Sequence, residues 1–274
     1  MEVQNLDLEL RAKLLYNDSP EGKVSVIYAP GLGSTTGSLK RLKPIQRRLR
    51  ELGADVNFVT FVYRSHQGEV ITGFRNDQRD LAQVVEMLRT NGFSYNQIGL
   101  LGICYGAHVI SQYISADNQA AFAILVEPYF GLDTLKTPFR QIANAANYAR
   151  RLGKLPVFPI GRDDEGNPKY VDLNSFATND GQGIEIKEND IPMLTIITNF
   201  HRVFDHEHIR QMRGRNSTID EIGGKAVTKD TKRRMDESVS KFLARLYNGT
   251  QFGINYGLKT PSETSPARLP LQTP

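Results

Sequence analysis

Leu100-Leu101-Gly102-Ile103-Cys104-Tyr105-Gly106-Ala107-His108-Val109-Ile110 decides how this chain is read. Ile98 to Ile103 is a short apolar run of the length and composition of a buried strand. Ala107 to about Ser115 has the character of an apolar helix. Between them lie only Cys104, Tyr105 and Gly106, so the chain must pass from strand to helix in one sharp turn. Such a turn needs small residues two positions either side of its apex. Gly102 and Gly106 supply them, and Cys104 is the apex. A thiol presented there sits at a helix N-terminus, where free amides and the helix dipole are expected to favour the thiolate.

Working outward, the same alternation repeats. Val24–Tyr28 reads as a buried strand and runs into the loop Ala29-Pro30-Gly31-Leu32-Gly33-Ser34. Residues 37–52 have helical spacing and stop at Gly53. Val56–Tyr63 is a strand. Residues 77–90 form an amphipathic helix with Leu81, Val84, Val85 and Leu88 on one face. Ala121–Val126 and Pro192–Thr198 are strands, followed by a helix around 205–213, a strand near 217–222 and a helix from about 229 to 247. Residues 6–15 read as an early strand. The expected fold is α/β, with a mostly parallel central sheet and helices on both faces.

Residues 130–190 break this rhythm with a helical stretch around 139–152, Pro156, Pro159 and the polar turn from Arg162 to Pro168. They read as an insertion over the sheet, a lid or cap. The expected organisation is a core over 1–129 and 191–258, an insertion over 130–190, and a disordered Pro-, Ser- and Thr-rich tail over 259–274.

LLGICYGAHVI resembles the nucleophile elbow of the α/β-hydrolase superfamily, with Cys in place of the usual Ser, as in dienelactone hydrolases and polyhydroxyalkanoate synthases. Two further segments agree. VIYAPGLGS is similar to the family's strand and oxyanion loop, with Pro30 replacing a His. YRSHQGE resembles its Arg-Gly-His-Gly turn. The match is good over residues 24–127 and holds in outline elsewhere. The resemblance implies an acyl-transfer site: Cys104 as nucleophile, with the backbone amides of Leu32 and Tyr105 as the oxyanion hole.

It also implies an acid and a histidine, and here the chain departs from the pattern. The acid is expected just after the strand at 192–198, where the usual place falls near Arg202. Asp205 is the nearest carboxylate, three residues late. Glu127, ending the strand before the insertion, is the alternative, since some members take their acid from that place. The histidine is expected in the loop Gly223-Gly224-Lys225-Ala226-Val227-Thr228, which holds none, and none follows His208. His206 is the leading replacement base and His201 the alternative. His66 and His108 read as structural. The cluster of His201, His206 and His208 with Asp205 and Glu207 reads as polar surface rather than a metal site, and no cofactor is expected.

Composition adds bounds. The chain has 274 residues and a formal net charge of +4, too small and dispersed to mark nucleic-acid binding. One cysteine excludes an intrachain disulfide. The first residues, MEVQNLDLELRAKLLY, lack the unbroken apolar run of a secretory signal, and no stretch approaches a transmembrane helix, so the cytoplasm is expected. Three functions follow. The first is an ester or thioester hydrolase working through a Cys104 acyl-enzyme on a small acyl substrate. The others are a non-catalytic binding protein of the same fold, and an acyltransferase passing the acyl group to an amine or alcohol.

Overall fold

The computed structural model describes residues 3–7, 12–15, 24–32, 38–68, 70–71, 76–116, 119–128, 152, 157–162, 166–172, 191–198, 217–223 and 228–251. Its centre is an eight-stranded sheet. The strands are β1 (Val3–Asp7), β2 (Ala12–Leu15), β3 (Val24–Ala29), β4 (Val56–Thr60), β6 (Ile98–Ile103), β7 (Phe122–Val126), β10 (Met193–Thr198) and β11 (Ser217–Ile222), in the order β1-β2-β4-β3-β6-β7-β10-β11. The β1-β2 and β2-β4 pairs are antiparallel. All other pairs in this sheet are parallel. The α-helices among the described residues are α1 (Ser38–Glu51), α2 (Asp77–Thr90), α3 (Tyr105–Ser115) and α4 (Lys229–Gln251).

Alternation along the strands explains how the sheet is covered. Ile27, Ala29, Val59, Leu100, Ala123, Leu125 and Ile197 point to one face, where they join Leu81, Val84, Val85 and Leu88 of α2 and Val109, Ile110 and Ile114 of α3. Their neighbours Val26, Tyr28, Phe58, Leu101, Ile124, Val126 and Ile196 point to the other, against Leu42, Ile45 and Leu49 of α1 and Met235, Val239 and Leu243 of α4. Every central strand is therefore apolar on both faces, which is what a parallel sheet between two helical layers demands.

The early strand expected over 6–15 is two strands paired antiparallel. The helices begin and end within a few residues of their expected places, and α3 starts at Tyr105, directly on the elbow. Inside 130–190, two unforeseen strands occur: β8 (Val157–Arg162) and β9 (Pro168–Asp172). They pair antiparallel, and Arg162 donates to the Gly166 carbonyl at 2.6 Å. They form a second sheet with the two-residue strand β5 (Val70–Ile71), in the order β5-β9-β8. Lys169 of β9 is buried, and its ammonium donates to the carbonyls of Gly68 at 2.7 Å and His66 at 3.3 Å. The expected helices around 139–152 (save Leu152) and 205–213, and the tail 259–274, lie outside the described residues.

One glycine shows how tightly the sheet faces pack. Gly99 pairs with Phe122, and the Phe122 ring lies where a Cβ at 99 would sit, 2.0 Å from its nearest carbon. Phe122 is itself 3% exposed and packs edge-on against Phe242, so it has little room to yield. Gly99→Ala is expected to lower the free energy of unfolding by about 1–3 kcal/mol through overpacking, measured by urea denaturation. An unchanged midpoint would show that the ring swings aside freely.

Candidate functional site

The turn after β6 has the geometry its sequence demands. Cys104 has φ 53° and ψ −112°. Among the described non-glycine residues only Cys104 and Glu127 have positive φ. Such backbone costs on the order of 1–3 kcal/mol and persists where surrounding contacts over-determine it. The contacts are explicit. A Cβ at Gly102 would lie 2.5 Å from the Ala107 nitrogen, and one at Gly106 would lie 2.0 Å from the Ala29 carbonyl oxygen. The Cys104 N–H donates to the Val126 carbonyl at 2.8 Å, and the His108 N–H to the Cys104 carbonyl at 3.2 Å. The apex is thus held by β7 on one side and its own helix on the other.

The end of β3 completes the near side. Ala29 pairs with Gly102, and a Cβ on Gly31 would be 3.4 Å from the Ile103 carbonyl oxygen. Leu32 is half-buried against the core face that carries α2 and α3. The loop expected to supply an oxyanion donor therefore runs directly beside the elbow.

The thiol departs from expectation. Cys104 is half-exposed as a residue, yet its thiol is pushed up to about 11, chiefly by burial. The Tyr105 backbone N–H hydrogen-bonds it and lowers the value, and the Glu127 charge raises it further. The helix N-terminus does not win, because one amide cannot replace the hydration that a thiolate loses here. At rest the nucleophile candidate is a neutral thiol with an amide already facing its sulfur.

Glu127 is 6% exposed and has φ 51°. Its N–H donates to the Ile196 carbonyl at 2.8 Å. It follows Val126, whose carbonyl holds Cys104, so the strand ends bring this carboxylate and the thiol together. Asp205, His206 and His201 fall outside the described residues, as does Lys225. Both histidines read as structural are packed inside: His66 is fully buried and His108 is 3% exposed. Among the described residues no three His, Cys, Asp or Glu side chains cluster as a metal would require, and no helix is long and apolar enough to cross a membrane.

Beneath the elbow lies a polar cluster that sequence reading missed. Asp77, fully buried at the start of α2, accepts from the Tyr105 hydroxyl at 2.6 Å and from the Ser65 hydroxyl at 2.7 Å. His66 Nε2 is 3.9 Å from the same carboxylate. Next to it, Asp80 accepts from the Arg64 backbone N–H at 2.8 Å and from Arg64 Nε at 2.7 Å, which pins the 3-10 turn Arg64–His66 to α2. The rings of Tyr63, His66, Tyr105 and His108 pack around Asp77 with neighbouring centroids 4.9–5.9 Å apart. Burial raises Asp77 to about 7. The hydrogen bonds from Tyr105 and Ser65 work against that rise, the Asp80 charge adds to it, and His108 opposes it. One signal was present in the sequence: Asp77 lies on the same helical face as Leu81, Val84, Val85 and Leu88, and a carboxylate at the head of an apolar stripe needs partners.

No known family's sequence profile matches the chain, and no curated protein matches it in sequence. Solved structures do match in shape. A soluble variant of monoglyceride lipase from Saccharomyces cerevisiae, solved with a substrate analog, superposes with a TM-score of 0.62 at 14% identity, over 90% of this chain and 95% of that one. An α/β hydrolase from a Penicillium species gives 0.61 at 16% identity, over 87% and 94%. An esterase from Pyrococcus furiosus gives 0.57 at 19% identity, over 86% of both chains. The chain has the α/β-hydrolase fold.

Two outcomes are expected. Gly106→Ala cannot keep the elbow and the end of β3 in place together. It should cost about 2–3 kcal/mol of stability and change the alkylation rate of Cys104 by iodoacetamide; unaltered values would refute the steric account. Because Asp77 is raised in the folded state, the native protein binds the extra proton between the ordinary carboxylate range and about pH 7. Its contribution to stability is present at low pH and lost as pH rises through 7, with a slope of at most about 1.4 kcal/mol per pH unit. The stability difference between wild type and Asp77→Asn should therefore shift in favour of wild type as pH falls from 8 to 5. A pH-independent difference in denaturant unfolding would count against it.

Proposed function

We propose that the protein is an acyl hydrolase acting on a small ester or thioester through a covalent acyl-enzyme at Cys104, in the cytoplasm. The observation that carries this reading is the backbone of Cys104: strained, wedged between two glycines that admit no Cβ, and placed at the C-terminal edge of the parallel strands. A cysteine that only filled core space would need none of this. The esterase and lipase named among the similar folds add support for ester chemistry in general.

The step balances as follows. The thiol gives its proton to a base, and Sγ forms a bond to the acyl carbon. The carbonyl π pair moves onto oxygen, where the Tyr105 and Leu32 amides receive the charge. The oxyanion then collapses and expels the alkoxide or thiolate, which takes up the proton. Water repeats the sequence on the thioester, releasing the carboxylic acid and restoring the thiol. One oxyanion donor commonly contributes about 3 kcal/mol to such transition states.

A thiol raised to about 11 is ionised to only about one part in ten thousand at pH 7, so acylation depends on a base. In this reading His206 takes that role with Asp205 behind it, or His201 with Glu127, whose charge reaches the thiol. The insertion over 130–190 shapes the acyl pocket. The same neutral thiol favours a second reading, a binding protein of this fold that forms no adduct.

Wild type and Cys104→Ala incubated with a p-nitrophenyl ester and an acyl thioester separate them. An acyl mass on wild type alone, with a burst and slow turnover, is expected. Acceleration by an added amine or alcohol would mark the acceptor as the physiological resolver. No adduct and identical turnover in both proteins would leave the binding reading standing.

A further inference from the structure

The cluster under the elbow has an energetic oddity. An apolar residue at 77 would extend the stripe of Leu81, Val84, Val85 and Leu88 and avoid burying a carboxylate. The chain instead places there a fully buried Asp whose charged form burial disfavours. That arrangement lowers stability at neutral pH, so packing alone does not account for it. What the carboxylate holds is specific: the hydroxyl of Tyr105, the residue whose backbone N–H faces the Cys104 sulfur.

We propose that Asp77 is a positioning residue for the oxyanion hole, fixing through the Tyr105 hydroxyl the peptide unit whose N–H receives the developing negative charge. This rests on Cys104 acting as an acyl nucleophile. Tyr105 is tethered at both ends. Its peptide nitrogen leaves the strained Cys104, and its phenol is anchored about one side-chain length away on another helix. With the ring buried at 3% exposure and flanked by Tyr63, His66 and His108, the hydrogen bond to Asp77 sets how far the ring slides along its slot. A slide would tilt the first peptide of α3. An oxyanion donor works only within a narrow range of distance and direction, so a small tilt weakens it.

The groups facing Asp77 are Ser65 and His66 from the 3-10 turn, Tyr63 before it, Tyr105 and His108 from α3, and Asp80 on its own helix, itself paired with Arg64. Protonating Asp77 turns a charge-assisted acceptor into a weaker neutral one. The anchor on Tyr105 therefore loosens as pH falls through neutrality.

Two reactions at one sulfur test this. Acylation by a p-nitrophenyl ester needs the thiolate and the oxyanion hole, whereas alkylation by iodoacetamide needs the thiolate and forms no oxyanion. The ratio of the two rate constants, taken in single turnover on the full chain, cancels thiol ionisation. Tyr105→Phe and Asp77→Asn are expected to lower the ratio at least tenfold at pH 8, with the effect in the acylation rate constant and not in KM. In wild type the ratio should fall as pH drops from 8 to 6, and in Asp77→Asn it should stay flat. Equal losses in both reactions, or a wild-type ratio independent of pH, would overturn the role of Asp77 and leave the acyl-enzyme reading intact. A wild type that is alkylated at Cys104 but never acylated would overturn both.

Discussion

The van der Waals contact between Gly106 and the end of β3 governs this architecture. At that point α3 crosses the sheet edge so closely that a single methyl group would overlap the Ala29 carbonyl oxygen. Given that approach, Cys104 must take a backbone conformation that side-chain-bearing residues seldom adopt, and the first turn of α3 must lie over the ends of β3 and β7. The N–H of Cys104 is satisfied by β7 and not within its own helix. Two apolar layers on the two sheet faces supply the free energy that holds the strain.

Electrostatics at the same place run against the simplest expectation. A helix N-terminus favours an anion, yet the thiol beside it is pushed up because burial removes more stabilisation than one amide restores. The Glu127 charge at the next strand end pushes the thiol the same way. A site built this way keeps its sulfur neutral at rest and makes ionisation conditional on a base. Asp77 is treated alike: buried, hydrogen-bonded twice and still raised to about 7. Tyr105 links the two groups, with its amide on the sulfur and its phenol on the carboxylate.

The second sheet shows how distant segments are drawn to this region. β5 has only two residues and could not stand alone. β9 supplies its partner, and the Lys169 ammonium fastens to the carbonyls of the turn that also carries Ser65 and His66. Val171 of β9 lies in the same core cluster as α2 and α3. Part of the 130–190 segment is thereby anchored to the loop next to Asp77.

Local pattern determined much of this protein. The β6–α3 turn, its two obligatory glycines, the parallel strands and the amphipathic faces are written in residues close together in the chain, because strand and helix periodicity and turn sterics act over a few positions. That is why the fold was legible, along with the place of Cys104 at the apex of the turn and of Glu127 and the Leu32 loop at the ends of strands. Residues 6–15 were legible only as extended chain, since pairing into two antiparallel strands is not a local property. The strands β8 and β9 escaped notice because β9 takes its second partner, β5, from one hundred residues earlier, and β5 has only two residues. Tertiary structure alone decided the protonation states and alliances of the site: the thiol raised by burial, and Asp77 joined to Tyr105 across 28 positions. Desolvation depends on what surrounds a group in three dimensions, and no spacing along the chain encodes that.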